Sequence, residues 1–133
     1  MAEKLGIVLV DDSKAVIATE QALIDELEGA HVVGTAANGA EALRVVSECQ
    51  PDLVLMDIVM PEMDGLAALR LLRARDASLR VAMVSSAGGS ESRANEAFKL
   101  GAIQVLSKPV DRDQLESLIA GELARLRDGV DRS

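Results

Sequence analysis

The sequence predicts an α/β protein, a doubly wound five-stranded parallel sheet with helices on both faces. Three observations carry the prediction. Five short apolar runs rich in Val, Leu and Ile recur along the chain, and segments with helical spacing separate them. The runs are apolar almost throughout instead of alternating, as strands buried on both sides are.

The first run, Ile7 to Val10, follows a start with nothing resembling a cleavage site, so it reads as a strand and not as a signal peptide. Val16, Glu20, Leu23 and Leu27 then fall on one helical face. The second run is Val32 to Gly34, after which Asn38, with Glu41 three residues on, can cap a helix. The third, fourth and fifth runs are Leu53 to Met56, Val81 to Val84 and Ile103 to Leu106. Asp111 with Gln114 is a second capping pair, and it opens a helix whose apolar face carries Leu115, Leu118, Ile119 and Leu126. Met56, Met60, Met63 and Met83 read as core filler, and Phe98, the chain's one aromatic residue, as helix core with Ala94 and Ala97. The organisation expected is one domain over residues 1–127 and a flexible polar tail over 128–133.

Composition excludes several classes. The net charge is -8 and the pI about 4.6, which repels phosphate backbones and anionic lipid, so neither nucleic acid nor membrane is an expected partner. No apolar run approaches bilayer length, and the expected location is the cytoplasm. Cys49 is the single cysteine, ruling out an internal disulfide and a cysteine-based zinc cluster; its expected role is helix packing. The lone His31 has no second His or Cys near it and reads as an ordinary surface or structural residue.

In open parallel sheets, functional residues gather beyond the carboxyl ends of the strands. Asp11 and Asp12 follow the first run, Asp57 the third, Ser85 and Ser86 the fourth, and Lys108 the fifth. With the flavodoxin-like strand order 2-1-3-4-5, strands one and three are neighbours, and Asp11, Asp12 and Asp57 share a pocket. Like charges so close call for a cation, and carboxylates without His or Cys suit Mg²⁺. Lys108 adds positive charge, and one ion pair at about 4 Å and an effective dielectric near 20 is worth roughly 4 kcal/mol. The Ser85 hydroxyl can hydrogen-bond a phosphoryl oxygen.

At these residues the chain resembles bacterial response-regulator receivers, of the stand-alone chemotaxis (CheY-like) type. The resemblance is carried by VDDS at Val10 to Ser13, MDIVMPEMDG at Met56 to Gly65, Ser85, and SKP at Ser107 to Pro109. It implies that Asp57 is the phosphoacceptor and that Asp12 and Asp57 bind Mg²⁺ directly, with Asp11 acting mainly through water and the Val59 backbone carbonyl completing the protein ligands. It further implies that Ser85 and Lys108 contact the phosphoryl group, that the Lys108–Pro109 bond is cis, and that a histidine kinase is the donor. Such a protein is a two-component signalling switch, not an enzyme acting on other substrates. It catalyses only its own Mg²⁺-dependent phosphoryl transfer and dephosphorylation, and a downstream protein reads its surface. The expected output face covers residues 90–127, moved through Ser85 and the loop with Gly88 and Gly89. One departure stands out, because the position three before Lys108, where many receivers carry Tyr or Phe, is Val105.

Three other functions touch parts of this pattern. SSAGGSES at Ser85 to Ser92 could cradle the phosphate of a flavin or nucleotide, but no G-x-G-x-x-G or P-loop is present and aromatic residues to stack a flavin are lacking. An aspartyl-phosphate hydrolase would need a general acid two residues after Asp57, where Val59 stands. A receiver working unphosphorylated, as a fixed binding module, is favoured mildly by Val105 and opposed by the intact acids and lysine.

Overall fold

The computed structural model describes residues 4–86 and 91–128. Strands and helices alternate as β1 (Leu5–Val10), α1 (Lys14–Asp25), β2 (Ala30–Ala36), α2 (Gly39–Cys49), β3 (Leu53–Asp57), α3 (Gly65–Arg75), β4 (Val81–Ser85), α4 (Glu91–Lys99), β5 (Gln104–Ser107) and α5 (Arg112–Asp128). All strand pairs are parallel, in the order β2-β1-β3-β4-β5.

Alternate residues of the central strands feed two apolar cores, one on each face, because successive side chains of a strand point to opposite sides. Ile7, Leu9, Leu53 and Leu55 pack with Ile24 of α1 and with Leu115 and Ile119 of α5. Val8, Val10, Val54 and Met56 pack with Ala42 and Val46 of α2 and with Leu69 and Leu72 of α3. Each such side chain contributes about 1.5–3 kcal/mol on burial, and this is what closes the sheet. Gly34 lets α2 come close, since a Cβ there would lie 2.8 Å from the Cys49 sulfur and 2.9 Å from Val45. Cys49 is thus a packing residue, its Sγ donating to the Val33 carbonyl at 3.3 Å, while His31 is exposed.

Both expected capping pairs form. Asn38 accepts from the Glu41 N–H at 2.9 Å, and Asp111 and Gln114 bond reciprocally, at 2.7 Å from the Gln114 N–H to Asp111. Ser13 and Asp64 cap α1 and α3 as well, through the N–H groups of Val16 and Ala67.

The structure corrects the expected element ends. β3 and β4 each run one residue further than their apolar runs, so Asp57 and Ser85 are the last strand residues, paired in register with Val84 and Ser107. Backbone pairing outlasts apolar character there. α5 continues through Arg127 and Asp128, with Arg125 and Arg127 placed favourably in its negative last turn. The rest of the expected tail, 129–133, lies outside the described residues, as do Gly88, Gly89 and Ser90.

Phe98 is also corrected: it is 47% exposed, while Ala97 is fully buried. Adjacent helical residues point about 100° apart, so only one of the two can face the sheet. Met56, Met60 and Met83 are buried and Met63 packs against the same core, as core filler does. No helix of the described residues is long and apolar enough to cross a membrane.

Candidate functional site

β1 and β3 lie side by side at the centre of the sheet, so the residues leaving their carboxyl ends meet. One carboxylate oxygen each from Asp11, Asp12 and Asp57 lies within 4.8 Å of the other two. Asp11 and Asp57 are buried, at 2% and 3% exposure, and Asp12 is open to solvent. A polar rim over two buried carboxylates gives a site that is both charged and accessible.

Lys108 sits over this cluster. Its Nζ lies 2.8 Å from Asp11 Oδ2 and 2.8 Å from Asp57 Oδ2. Its backbone N–H donates to the Ser85 carbonyl at 2.7 Å, so β4 fixes where the lysine leaves the sheet. The Lys108–Pro109 peptide is cis, as expected.

Both buried aspartates are held at each oxygen. Asp11 accepts from the Ser13 N–H at 2.8 Å on Oδ1, and Asp57 accepts from the Val59 N–H at 3.1 Å on Oδ1. With Lys108 on each Oδ2, the two carboxylate planes are fixed before any ligand arrives.

Burial pushes the Asp57 carboxyl above its ordinary value, with the Asp11 charge adding to the rise; the hydrogen bonds from Lys108 and the Val59 amide only partly oppose it. Burial works against the Lys108 charge too, but its hydrogen bonds to Asp11 and Asp57 prevail and hold the ammonium above its ordinary range. One lysine therefore balances two buried acids, leaving excess negative charge in the pocket.

The loop after β3 depends on Gly65. A Cβ at that position would collide with the Asp57 carbonyl oxygen, and the Gly65 N–H donates to the Ile58 carbonyl at 2.7 Å. Only glycine lets α3 begin this close to the site. Asp64, which caps α3, also accepts from Arg93 of α4 at 3.0 Å, and the Ala67 N–H is foremost in holding its carboxyl below the usual range.

The donor set fits a hard cation. Its atoms are all oxygen, two of the three acids are buried and oriented, and the one positive charge among them leaves the cluster anionic. Val59 turns its amide onto Asp57 and is itself 58% exposed at the rim. Ser85 lies beside the group as the final residue of β4, its hydroxyl 3.5 Å from the Ser86 carbonyl.

One residue beside the site was not singled out from sequence. Glu20, on α1, is only 4% exposed, and the charges of Asp11, Lys108 and Asp57 act on it. The signal was present: a carboxylate stood at an inward position of the stripe Val16, Glu20, Leu23, Leu27.

Comparison with known proteins gives this arrangement its class. The family model described as the response regulator receiver domain matches residues 7–120, and the chain belongs to that family. Over 105 residues it is 40% identical to a protein-glutamate methylesterase/protein-glutamine glutaminase of Myxococcus xanthus, a match covering 79% of this chain and 30% of the relative's length. It is 44% identical over 87 residues to the chemotaxis protein CheY of Bacillus subtilis, covering 65% of this chain and 72% of that one. Among solved structures, the complex of CheX with CheY, BeF3 and Mg from Borrelia burgdorferi contains a chain superposing with a TM-score of 0.82 at 29% identity, over 90% of this chain and 89% of that chain. The sheet order and five helices are those of the CheY fold.

Proposed function

We propose that the chain is a phosphorylation switch in which Asp57 accepts a phosphoryl group with the help of Mg²⁺. The observation that carries this reading is the double contact of Lys108, at 2.8 Å from both Asp11 and Asp57, over a three-carboxylate cluster. Receiver domains as a family take phosphoryl groups from histidine kinases and act on downstream effectors, and two-component signalling is the setting that membership implies. A cytoplasmic location follows from the same reading.

In this reading an Asp57 oxygen attacks the phosphorus of a phosphohistidine, and the bond to the histidine nitrogen breaks as the new P–O bond forms. Asp12, Asp57 and the Val59 carbonyl, with Asp11 acting through water, would hold Mg²⁺, which would supply charge neutralisation at the phosphoryl oxygens. Lys108 turns its ammonium to the same oxygens, and the Ser85 hydroxyl donates to one of them. Because the Val59 N–H and Lys108 already orient Asp57, catalysis is positioning plus electrostatics, limited to the protein's own phosphorylation and dephosphorylation.

The output face in this reading is residues 90–127, with the receiver unit extending over 1–127. Two observations support that surface. Phe98 lies exposed on α4, and a cavity of about 570 Å³ between β5 and α5 is lined by Val105, Leu106, Ser117 and Leu118. Val105 is branched, with few rotamers and no hydroxyl, so it cannot report the phosphorylated state as a large aromatic would. Chemotaxis and phosphorelay roles are both compatible with it.

The test is a beryllium fluoride adduct followed by fluorine and amide NMR. Expected are adduct signals only with Mg²⁺ and only with Asp57 present, and amide shifts reaching into residues 91–106. Equal adduct formation by Asp57→Ala removes the phosphoacceptor assignment, and shifts confined to the neighbours of Asp57 remove the output face.

A further inference from the structure

Outside the aspartate cluster, Glu20 is a buried acid that the proposed chemistry does not use. It is 4% exposed, and among the described residues no hydrogen bond or ion pair reaches its carboxyl. Placing a carboxyl at a nearly buried position without a hydrogen-bond partner is costly, and apolar residues are the ordinary solution in a stripe such as Val16, Leu23 and Leu27. Glu20 lines a cavity of about 420 Å³ between α1 and the turn after β5, together with Val16, Thr19, Lys108, Pro109 and Val110. The charged groups that act on it come from three strand ends: Asp11 from β1, Asp57 from β3 and Lys108 from β5.

Lys108 now rests on Asp11 Oδ2 and Asp57 Oδ2. A divalent cation on these aspartates draws on the same negative charge, so the ammonium loses part of its counter-charge and faces two positive charges nearby. A carboxyl outside the metal cluster, yet lining the same cavity as Lys108, offsets that loss.

We propose that Glu20 is a positioning residue: a buried carboxyl on α1 that supplies counter-charge to Lys108 when a divalent cation takes Asp11 and Asp57. The inference rests on the phosphoryl-acceptor reading. Burial first, and then Asp11, pushes the Glu20 carboxyl up to about 7, which agrees with a group held in a negative pocket. Its placement on α1, and not on a strand end, leaves it clear of the metal while its charge still acts there.

The test is Mg²⁺ affinity, read from the amide resonances of Asp57 and Val59 in the absence of phosphodonor, for the wild type, Glu20→Asp, Glu20→Gln and Glu20→Leu. Removing a negative charge whose field reaches Asp11, Asp57 and Lys108 is expected to weaken binding about tenfold in the Gln and Leu variants. The Asp variant, which keeps the charge, stays within about threefold by the same reasoning. Glu20→Leu melts at a higher temperature than the wild type, because it replaces a buried acid with an apolar side chain. A structural role for Glu20 would instead lower stability and leave affinity unchanged. Gln and Leu variants that bind Mg²⁺ as the wild type does would overturn the proposal. A wild type without any Mg²⁺ response would instead bring down the phosphoryl-acceptor reading, and this inference with it.

Discussion

The centre of the sheet and its β5 flank are built differently. All six residues of β1 and all five of β3 are buried, and these two strands carry Asp11, Asp12 and Asp57 at their ends. In β5 only Leu106 is buried, and in α4 only Ala97. The acids thus stand on the most deeply buried part of the sheet, while β5 and α4, within the face argued to carry the output, are lightly packed. Rigidity where charge must be oriented, and loose packing where a surface must change, is a division expected of a switch.

That contrast can be broken by mutation. Leu55→Ala in β3 opens a cavity in a fully closed core and is expected to cost about 2–5 kcal/mol in urea unfolding. A loss well under 1 kcal/mol would mean that the centre is not the rigid part.

The pocket edge should show a pH signature of intermediate size. The Glu20 carboxyl is raised from 4.5 to about 7 in the folded chain, so folding favours its protonated form. Its contribution is fully present below about pH 4.5 and is lost as pH rises through about 7. Without metal, the wild type is expected to lose on the order of 2 kcal/mol relative to Glu20→Gln between about pH 5 and pH 8. Parallel stability curves for the two proteins would show that Glu20 is not a buried acid.

The smallest effect belongs to the flank. Phe98→Ala removes an exposed side chain and is expected to change stability by less than about 0.5 kcal/mol. A loss near that of Leu55→Ala would place Phe98 in the core and erase the difference between the two regions.

Much of this was legible in the sequence, for identifiable reasons. Unbroken apolar runs such as Leu53 to Met56 reveal strands buried on both faces, and with the strand order they bring Asp11, Asp12 and Asp57 together before any coordinates are known. The capping pairs were visible because their side chains recur at fixed spacing. Phe98 was misread because spacing alone cannot decide which of two adjacent helical residues faces the sheet. Asp57 and Ser85 were placed after their strands because hydrophobicity ends before the hydrogen-bonded ladder does. Glu20 passed unnoticed because its partner charges, Asp11, Asp57 and Lys108, lie up to 88 positions away in sequence and converge only in the fold.

The most direct test of the central claim is the intact mass of the protein after incubation with acetyl phosphate and Mg²⁺. The account predicts a gain of one phosphoryl group that requires the metal, is absent in Asp57→Asn, and maps to the peptide containing Asp57. An unchanged mass under these conditions, or the same gain in Asp57→Asn, would contradict it.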